Sequence, residues 1–275
     1  MRLGLLCGKG RLPYLLARAQ RHNTFAIVCL EDLEEETTEN FPSGIPCLQT
    51  SIGAIGKILR FLKAHQIDTI VMAGALRRPT LSELKLDVVG IKWSAHLGRR
   101  LFQGDDALLS GITALLEREK LTVLGAHEIM TSLLTPAGIL SKKALTPEDQ
   151  EDITVGIRVM RQLGKTDVGQ AVVVQQGLTL GVEAIEGTQE LIKRCASFQR
   201  AGRAAILVKG AKPQQEMRVD LPTIGSETLE ALHIAGFRGV ALEAGKTLLL
   251  DREIVLEKAD SYEIFVAGME FSYAS

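Results

Sequence analysis

Aromatic side chains are scarce in this sequence: one Trp, three Tyr and eight Phe make up 4% of its 275 residues. Proteins that bind single-stranded nucleic acids stack bases on such side chains, so this class is disfavoured. An excess of positive charge is also lacking, because 32 Lys and Arg face 33 Asp and Glu, for a formal charge of −1. A nucleic-acid partner is therefore not expected, and any anion-binding site must be local.

Cysteine is infrequent as well, and no two of the four cysteines are spaced as C-x-x-C. A zinc knuckle or a redox motif of that kind is therefore not expected. Cys7 and Cys29 lie in apolar runs, where a small buried thiol is the simplest interpretation. The other two are Cys47 and Cys195.

Long hydrophobic runs are missing. The first apolar run, in MRLGLLCGKG, is too short for a signal peptide, and no stretch approaches the roughly 20 apolar residues of a membrane span. We therefore expect a cytoplasmic protein. The content of 46% hydrophobic and 24% charged residues is that of an ordinary globular protein, and a length of 275 residues favours two domains over one.

Short apolar runs alternate with helical patterns through the first half of the chain. Strands separated by helices favour a parallel sheet covered on both faces, so we predict a Rossmann-like α/β domain over 1–130. The predicted strands are 3–7, 25–30, 68–73 and 121–124, and helices are predicted from Leu12 or Pro13, through 52–62 and over 107–116.

Two prolines, a glycine and several polar residues interrupt this pattern in TPAGILSKKALTPED. We predict a linker or hinge there, over 131–149, with the substrate cleft between the two domains. A mixed α/β catalytic domain is predicted over 150–275. Its expected elements are a helix over 147–163, a hairpin of 171–175 and 178–185 about Gly177, and strands 205–208, 240–243, 247–250 and 264–267.

A glycine-containing turn, C-G-K-G-R-L-P, follows the first predicted strand. It lacks the third glycine of a dinucleotide-binding fingerprint, because Pro13 stands in that place. Gly8 and Gly10 could still bring backbone N–H groups to a phosphate or ribose at the helix start. The alternative is that both glycines serve only the tight turn.

Two further polar segments belong to the first domain. A-G-A-L-R-R-P follows the strand that ends near Ala73, at the edge where open α/β sheets bind ligands. Gly74 and Arg78 are candidates for that reason, with a solvated Arg77–Arg78 pair as the alternative. In G-D-D-A-L-L, Asp105 or the following Asp suits a helix N-cap, so structure accounts for at least one of these acids.

Acids and amides accompany apolar strands in the second domain. D-V-G-Q precedes one strand, and in G-V-E-A-I-E-G-T an otherwise apolar strand is interrupted by Glu183. A buried carboxylate needs a partner, a metal ion or a proton. Thr188 is placed to cap a helix beginning at Gln189, with Glu186 and Gly187 in the turn before it.

The stretch LVKGAKPQQEMRVDLPTIG concentrates charge beside two prolines. Lys209 and Lys212 follow a predicted strand, and Pro222 disfavours helix at the residue before it. We therefore predict an extended segment with Arg218 and Asp220 on one face. Cations beside a carboxylate suit a phosphate ester, which needs charge compensation and a group that binds metal or orients water. A surface ion pair between Arg218 and Asp220 is the alternative.

These motifs resemble, in type and in order, those of the LpxI-type UDP-2,3-diacylglucosamine pyrophosphatases. The resemblance implies a two-domain, Mg²⁺-dependent hydrolase of lipid A biosynthesis, usually a homodimer. It further implies cleavage of UDP-2,3-diacylglucosamine, a lipid-linked nucleotide sugar, to UMP and 2,3-diacylglucosamine 1-phosphate, with peripheral contact at the inner-membrane surface. The motifs, spread over nearly the whole chain, are G-K-G-R-L-P, A-G-A-L-R-R-P, G-D-D-A-L-L, D-V-G-Q-A-V-V-V, V-E-A-I-E-G-T and K-P-x-Q-x-x-R-V-D-L-P-T-I-G.

The resemblance and the residue types together give an expected site. Asp220 matches the essential aspartate of the family, and Arg218, Lys209 and Lys212 are the expected catalytic cations. The expected metal ligands are Asp220, Glu183 and Asp167. The expected substrate-binding residues are Gly8, Gly10, Arg11, Gly74, Arg78, Asp105, Gln170, Glu186, Gly187, Thr188 and Thr223.

Two positions depart from the family pattern. Gln189 and Glu216 stand where the family commonly has aspartate, and only Glu216 keeps the charge. Two other functions stay open at this point. One is a non-catalytic protein that binds a nucleotide sugar or a lipid. The other is a dinucleotide-dependent oxidoreductase, which Pro13 disfavours.

Overall fold

The structure, a computed structural model, describes residues 1–30, 41–76, 80, 83–102, 104–213 and 215–271, except for the side chains of Thr24 and Phe25. Contacts divide the chain into two compact units, Met1–Thr131 with Glu216–Asp220, and Ser132–Gln215 with Leu221–Ser275. The short stretch 216–220 thus lies in the first unit, whereas the sequence-based division places it with the rest of 150–275. The predicted hinge over 131–149 stays a prediction.

Short apolar runs form a parallel sheet in the first unit. The strands found among the described residues run in the order β3-β2-β1-β4-β5, and each pairing is parallel. The first strand is buried along its whole length, as a strand covered on both faces must be. This order confirms the predicted Rossmann-like sheet. The bounds are β1 (Leu3–Cys7), β2 (Thr24–Leu30), β3 (Cys47–Thr50), β4 (Thr69–Ala73) and β5 (Thr122–Leu124).

Helices of the first unit pack their apolar faces against this sheet. Ile58 and Leu62, one helical turn apart, are buried in the same core as Trp93 and Leu116. The first helix has Pro13 in its first turn, where the missing N–H costs no hydrogen bond. The bounds are α1 (Leu12–Ala19), α2 (Ile55–Ala64), α3 (Val88–Leu97), α4 (Asp105–Arg118) and α5 (Ala126–Ile129), with a 3-10 helix at Gly98–Phe102.

A mixed sheet forms the second unit, as predicted. Its order is β6-β13-β11-β9-β7-β8, with β9, β11 and β13 parallel and the strands outside them antiparallel to their neighbours. A short parallel pair, β10 with β12, is separate. The bounds are β6 (Gly138–Ile139), β7 (Ala171–Gln175), β8 (Leu178–Val182), β9 (Ile206–Lys209), β10 (Thr223–Ile224), β11 (Gly239–Glu243), β12 (Leu248–Leu249) and β13 (Phe265–Met269).

The helices of the second unit are α6 (Pro147–Gly164), α7 (Gly187–Ala196), α8 (Ser226–Ile234) and α9 (Arg252–Ser261). A reciprocal capping box begins α6, in which Thr146 and Asp149 each accept the other's backbone N–H. Burial alone would raise the pKa of Asp149, but hydrogen bonds from Arg238 and Thr146 lower it. Within the described ranges, no helix combines the length and the apolar character needed to cross a bilayer.

Several elements were not predicted from the sequence. The two-residue strands β6 and β10 pair only because tertiary packing brings a partner alongside, so no local pattern announces them. By contrast, α8 and α9 do carry a helical pattern, because Leu229 and Leu232 lie three apart and Val255 and Ala259 lie four apart, all buried. The sequence therefore carries a local signal for both helices.

Candidate active site

Polar side chains gather at one edge of the mixed sheet in the second unit. Lys209 is the last residue of β9, and Glu243 is the last residue of the parallel strand β11. Because β7 runs antiparallel to β9, with Ala171 opposite Lys209, the preceding Gln170 starts from the same edge. β8 ends there as well, so Glu183 joins the group. The sheet thus brings together residues that the sequence spreads over more than one motif.

Glu183, Thr188 and Lys209 form a hydrogen-bonded chain. The Thr188 hydroxyl donates to Glu183 Oε1 at 2.6 Å, and Lys209 Nζ donates to Thr188 Oγ1 at 2.6 Å. The second carboxylate oxygen of Glu183 accepts the backbone N–H of Gln170 at 2.8 Å. Glu183 is 8% exposed and Lys209 is 6% exposed. Both charges are therefore buried with partners that fix their positions.

The expected capping role of Thr188 is wrong. α7 begins at Gly187, its N-cap is Glu186, and no side chain caps it by a hydrogen bond. The Thr188 hydroxyl instead serves the buried carboxylate of Glu183, which has the greater need for a donor. Glu186 pairs with Arg194 at 2.7 Å, and hydrogen bonding from this arginine lowers the pKa of Glu186.

A second ion pair joins Lys212 to Asp167, with Lys212 Nζ donating to Asp167 Oδ1. Asp167 has a φ of +59°, in the left-handed region that aspartate tolerates better than most residues. Two residues later, a Cβ on Gly169 would lie 2.0 Å from the carbonyl oxygen of Glu183, so only glycine fits. The D-V-G-Q motif thus places the Asp167 carboxylate against Lys212 and the Gln170 N–H against Glu183.

Glu243 was missed by sequence reasoning. It is 2% exposed, and its carboxylate accepts the Ala211 backbone N–H at 2.9 Å and Lys246 Nζ at 2.8 Å. A Cβ on Gly210 would lie 2.8 Å from Glu243 Oε2. Glu243 therefore holds the backbone between the two site lysines. The signal that could have found it is an acid that ends the apolar run V-A-L-E.

The stretch 216–220 in the first unit forms a turn of helical type. The backbone N–H groups of Val219 and Asp220 both donate to the Glu216 carbonyl oxygen, each at 3.1 Å. The predicted extended conformation of this stretch is therefore wrong. Pro222 restricts only the residue directly before it, so it does not prevent a turn over 217–219.

Arg218 bridges two carboxylates within the first unit. Its Nε and NH2 donate to the two oxygens of Glu216 at 2.9 and 2.8 Å, and its NH1 donates to Glu117 Oε1 at 2.7 Å. Hydrogen bonds from Arg218 lower the pKa of Glu216, and the two carboxylates raise the pKa of Arg218. The guanidinium therefore ties the turn to α4 and is electrically balanced there.

Asp220 lies half-buried at the end of this turn, directly after Val219, which packs on the core of the first unit. A Cβ on Gly125 would lie 2.4 Å from His127 Cε1 and 3.2 Å from Arg218 Cα. The turn therefore packs against the segment that follows β5. Sequence reasoning did not single out His127, whose Nδ1 is buried with no hydrogen-bond partner in the described part of the chain.

The turns after β1 and β4 pair with each other. The Gly8 N–H donates to Ala73 O at 2.8 Å, and Lys9 and Ala75 exchange backbone hydrogen bonds at 2.7 and 2.8 Å. A Cβ on Gly8 would lie 2.5 Å from Ala75 O, and one on Gly74 would lie 2.6 Å from Lys9 O. Both glycines thus permit close backbone approach. The backbone N–H groups of Gly8 and Lys9 therefore donate to carbonyl oxygens of the chain and not to a phosphate.

Among the other predicted residues of the first unit, Gly10, Arg11 and Asp105 lie at its surface. Gly10 and Arg11 are exposed where α1 begins, and Arg78 lies outside the described residues. The N-cap of α4 is Gly104, not an aspartate, so that prediction is wrong. Asp105 and its neighbour occupy the first helical turn, where the helix dipole still favours them.

Thr223 belongs to the second unit. It is half-buried in β10, and its hydroxyl donates to the Leu221 carbonyl oxygen at 2.9 Å.

The expected metal ligands do not make a preformed site in either unit. Asp167 is paired with Lys212, and Glu183 accepts hydrogen bonds from Thr188 and from a backbone amide. Over the ranges that the structure describes, no three His, Cys, Asp or Glu side chains group so that they could hold a metal ion. The described residues of each unit therefore show no preformed Mg²⁺ site, and the ligand assignments stay predictions.

Comparison with known proteins adds information over the whole chain. A family model described as the LpxI N-terminal domain matches residues 2–133, and one described as the LpxI C-terminal domain matches residues 136–267. UDP-2,3-diacylglucosamine pyrophosphatase LpxI of Caulobacter vibrioides is 38% identical over 277 residues, which span 98% of this chain and 98% of that protein.

Among solved structures, CobK precorrin-6A reductase aligns with a TM-score of 0.32 at 10% identity, over 98% of this chain and 89% of its own. A likeness this weak carries no argument about fold or function.

Proposed function

The chain belongs to the LpxI family, and on that premise we propose that it hydrolyses the pyrophosphate bond of UDP-2,3-diacylglucosamine. The observation that carries this proposal is the match over the full length. Both family domains align in order, and a pyrophosphatase of that name shares 38% identity over 98% of each chain. The proposed products are UMP and 2,3-diacylglucosamine 1-phosphate, which places the reaction in lipid A biosynthesis.

The lysines of the second unit suit the charge of this substrate. A pyrophosphate diester is anionic and repels hydroxide, so hydrolysis needs cations that become more effective as charge develops on the phosphoryl oxygens. Lys209 and Lys212 are both buried and both held by side-chain partners. A cation held in place this way reorganises little during the reaction. We propose that these two ammonium groups bind the diphosphate.

Asp220 is the proposed catalytic carboxylate. The helical turn and the packing of Val219 fix the backbone of this residue, so its side chain is directed at small entropic cost. Its proposed role is to orient the attacking water and to receive its proton, while the bridging P–O bond breaks and UMP leaves. Arg218 is balanced by two carboxylates of the first unit, and its contacts support a positioning role for the turn.

Three finer properties belong to the proposal and come from the resemblance. They are dependence on Mg²⁺, assembly as a homodimer, and a cytoplasmic location with peripheral contact at the inner-membrane surface. Bound Mg²⁺ would neutralise phosphate charge and polarise a P–O bond.

A turnover assay tests the function directly. Purified protein is mixed with UDP-2,3-diacylglucosamine in detergent micelles with Mg²⁺, and UMP and the sugar phosphate are measured. Release of both in equal amounts supports the hydrolase. Tight binding without release supports the alternative of a non-catalytic binding protein and contradicts the proposal.

Water labelled with oxygen-18 locates the attacked phosphorus. Attack on the sugar-side phosphorus, which we propose, places the label in 2,3-diacylglucosamine 1-phosphate and leaves UMP unlabelled. Label in UMP would show attack on the uridine-side phosphorus instead.

A further inference from the structure

Two cysteines meet on adjacent strands of the first sheet. Cys29 lies near the end of β2 and Cys47 is the first residue of β3, which pairs with β2 in parallel. Cys47 is in register with Ile27, two residues before Cys29. Because residues two apart on a strand share a face, both thiols point to the same side of the sheet. Their sulfur atoms lie 3.5 Å apart.

The two thiols differ in exposure and in acidity. Cys47 is exposed, whereas Cys29 is fully buried. The hydrogen bond between them stabilises the thiolate of Cys47 and lowers its pKa to about 7, while the same contact and burial raise the pKa of Cys29. An exposed thiolate beside a protonated thiol is the usual arrangement of an attacking cysteine and its resolving partner.

We propose that Cys47 and Cys29 form a reversible, peroxide-sensitive dithiol site. It takes a small peroxide as its oxidant and forms an intramolecular disulfide between β2 and β3. The sulfur atoms need to approach by about 1.5 Å to reach the S–S bond length of about 2.05 Å, a distance that side-chain rotation on neighbouring strands can supply. In a reducing compartment such a bond is transient.

The chemistry balances in two steps. The Cys47 thiolate attacks one peroxide oxygen, the O–O bond breaks, and the leaving oxygen takes a proton, which gives a sulfenic acid and water when the oxidant is hydrogen peroxide. The Cys29 sulfur then attacks the Cys47 sulfur, its proton passes to the departing hydroxyl, and a second water leaves. Each sulfur loses one electron to the peroxide, and a small thiol reverses the reaction by exchange.

The other two cysteines, Cys7 and Cys195, can be compared with the Cys47–Cys29 pair. Cys7 is in register with Cys29 on β1, but it is fully buried, and burial together with the nearby Cys47 raises its pKa. Cys195 is buried in the core of the second unit and serves as a distant control. Cys47 is therefore the expected point of attack, and Cys29 is the expected partner.

Peptide mapping after oxidation gives the first test. The full-length protein is treated with a small excess of hydrogen peroxide, its remaining thiols are alkylated, and it is digested without reductant. A peptide that links Cys29 to Cys47, and that disappears on adding dithiothreitol, is the expected result, and the Cys195→Ser variant should behave the same. A link to Cys7, or peroxide oxidation of Cys47 without any link, would overturn the pairing.

Alkylation rates give a second test that does not require disulfide formation. The rate at which iodoacetamide modifies Cys47 should rise with a midpoint near pH 7 in the wild-type protein. In Cys29→Ala the midpoint should move towards the ordinary cysteine value of about 8.5, because the hydrogen-bond donor is gone. An unchanged midpoint in a folded Cys29→Ala variant would contradict the proposed contact.

Discussion

Residues at the proposed site differ in how their charge is used. Arg218 donates to two carboxylates, whereas two residues later Asp220 ends the same turn half-buried. Because Arg218 is held by ion pairs with two carboxylates, we expect it to position the turn. Because the backbone of Asp220 is fixed, we expect its carboxylate to act in the reaction. This contrast assigns positioning to Arg218 and catalysis to Asp220 under the proposed function.

Replacing Asp220 with alanine tests that assignment. Turnover should fall by roughly two or more orders of magnitude, as expected when a positioned acid–base group is lost, while the unfolding midpoint stays near that of the wild type. Steady-state kinetics and denaturant unfolding measure the two effects. Glu257→Gln, on the exposed face of α9, is the control and should keep full activity. A folded Asp220→Ala protein with near wild-type turnover would show that another carboxylate does the chemistry.

Thr188 can be tested by removing only its hydroxyl. Thr188→Val should remove the hydrogen bond that the hydroxyl donates to the buried Glu183 carboxylate and the one that it accepts from Lys209. The free energy of unfolding should fall by about 1–3 kcal/mol as a result. Activity should fall as well, because the lysine loses its fixed position. Thr154→Val is the matched control, since the Thr154 hydroxyl donates to the Gln150 carbonyl oxygen on the exposed face of the same helix, α6. Equal stability of the two variants would contradict a stabilising role for the hydrogen bonds that join Glu183, Thr188 and Lys209.

At the scale of elements, the turn over 216–220 depends on an ion pair. Hydrogen bonds from Arg218 lower the pKa of Glu216 in the folded protein. Their stabilisation is complete above the ordinary glutamate pKa of about 4.3 and is lost as the pH falls through the lower folded value. Wild-type stability should therefore fall more steeply than that of Glu216→Gln as the pH is lowered below about 4.3. Chemical unfolding at several pH values measures the difference.

Glu216→Asp is the informative companion, because the family commonly has aspartate there. It keeps the charge, so it should keep most of the pH dependence and the activity that Glu216→Gln loses. Parallel pH profiles for the wild type and Glu216→Gln would mean that the ion pair does not hold the turn.

The end of β11 positions the loop between the two site lysines. In Glu243→Gln the new amide group faces a donor, either the Ala211 N–H or Lys246 Nζ, because both donate to the carboxylate now. The loop should shift, and displacement of about 1 Å can cost on the order of 100-fold in rate. We expect kcat to fall more than KM rises. Glu230→Gln removes the half-exposed ion pair between Glu230 on α8 and Lys258 on α9 and should change neither value.

At the scale of the whole molecule, the effect of a chelator on turnover tests whether the proposed hydrolase depends on Mg²⁺. Dialysis against a chelator should abolish turnover, and added Mg²⁺ should restore it, because the resemblance implies a metal-dependent hydrolase. The unfolding midpoint should change little on chelation, since no preformed metal cluster lies among the described residues. Full turnover after chelation would show that the prediction of Mg²⁺ is wrong.

The sequence alone determined the elements that repeat a simple pattern of burial. Buried runs such as Leu3–Cys7 became strands, the spacing of Ile58 and Leu62 became a helix face, and their alternation predicted the parallel sheet. These features follow from neighbouring residues, because the period of the apolar positions is set by local backbone geometry. The ordered motifs also determined the family, since each is short and local.

Tertiary structure decided which of these segments touch. Arg218 meets Glu117 across 101 residues, and the resulting packing makes 216–220 a turn of the first unit instead of an extended part of the second. The same holds for Thr188, whose hydroxyl donates to Glu183 and accepts from Lys209, and for the contact between the Cys29 and Cys47 thiols. Local pattern fixes the period of burial, whereas the partner of a polar group depends on which strands become neighbours, and that is settled only when the sheets assemble.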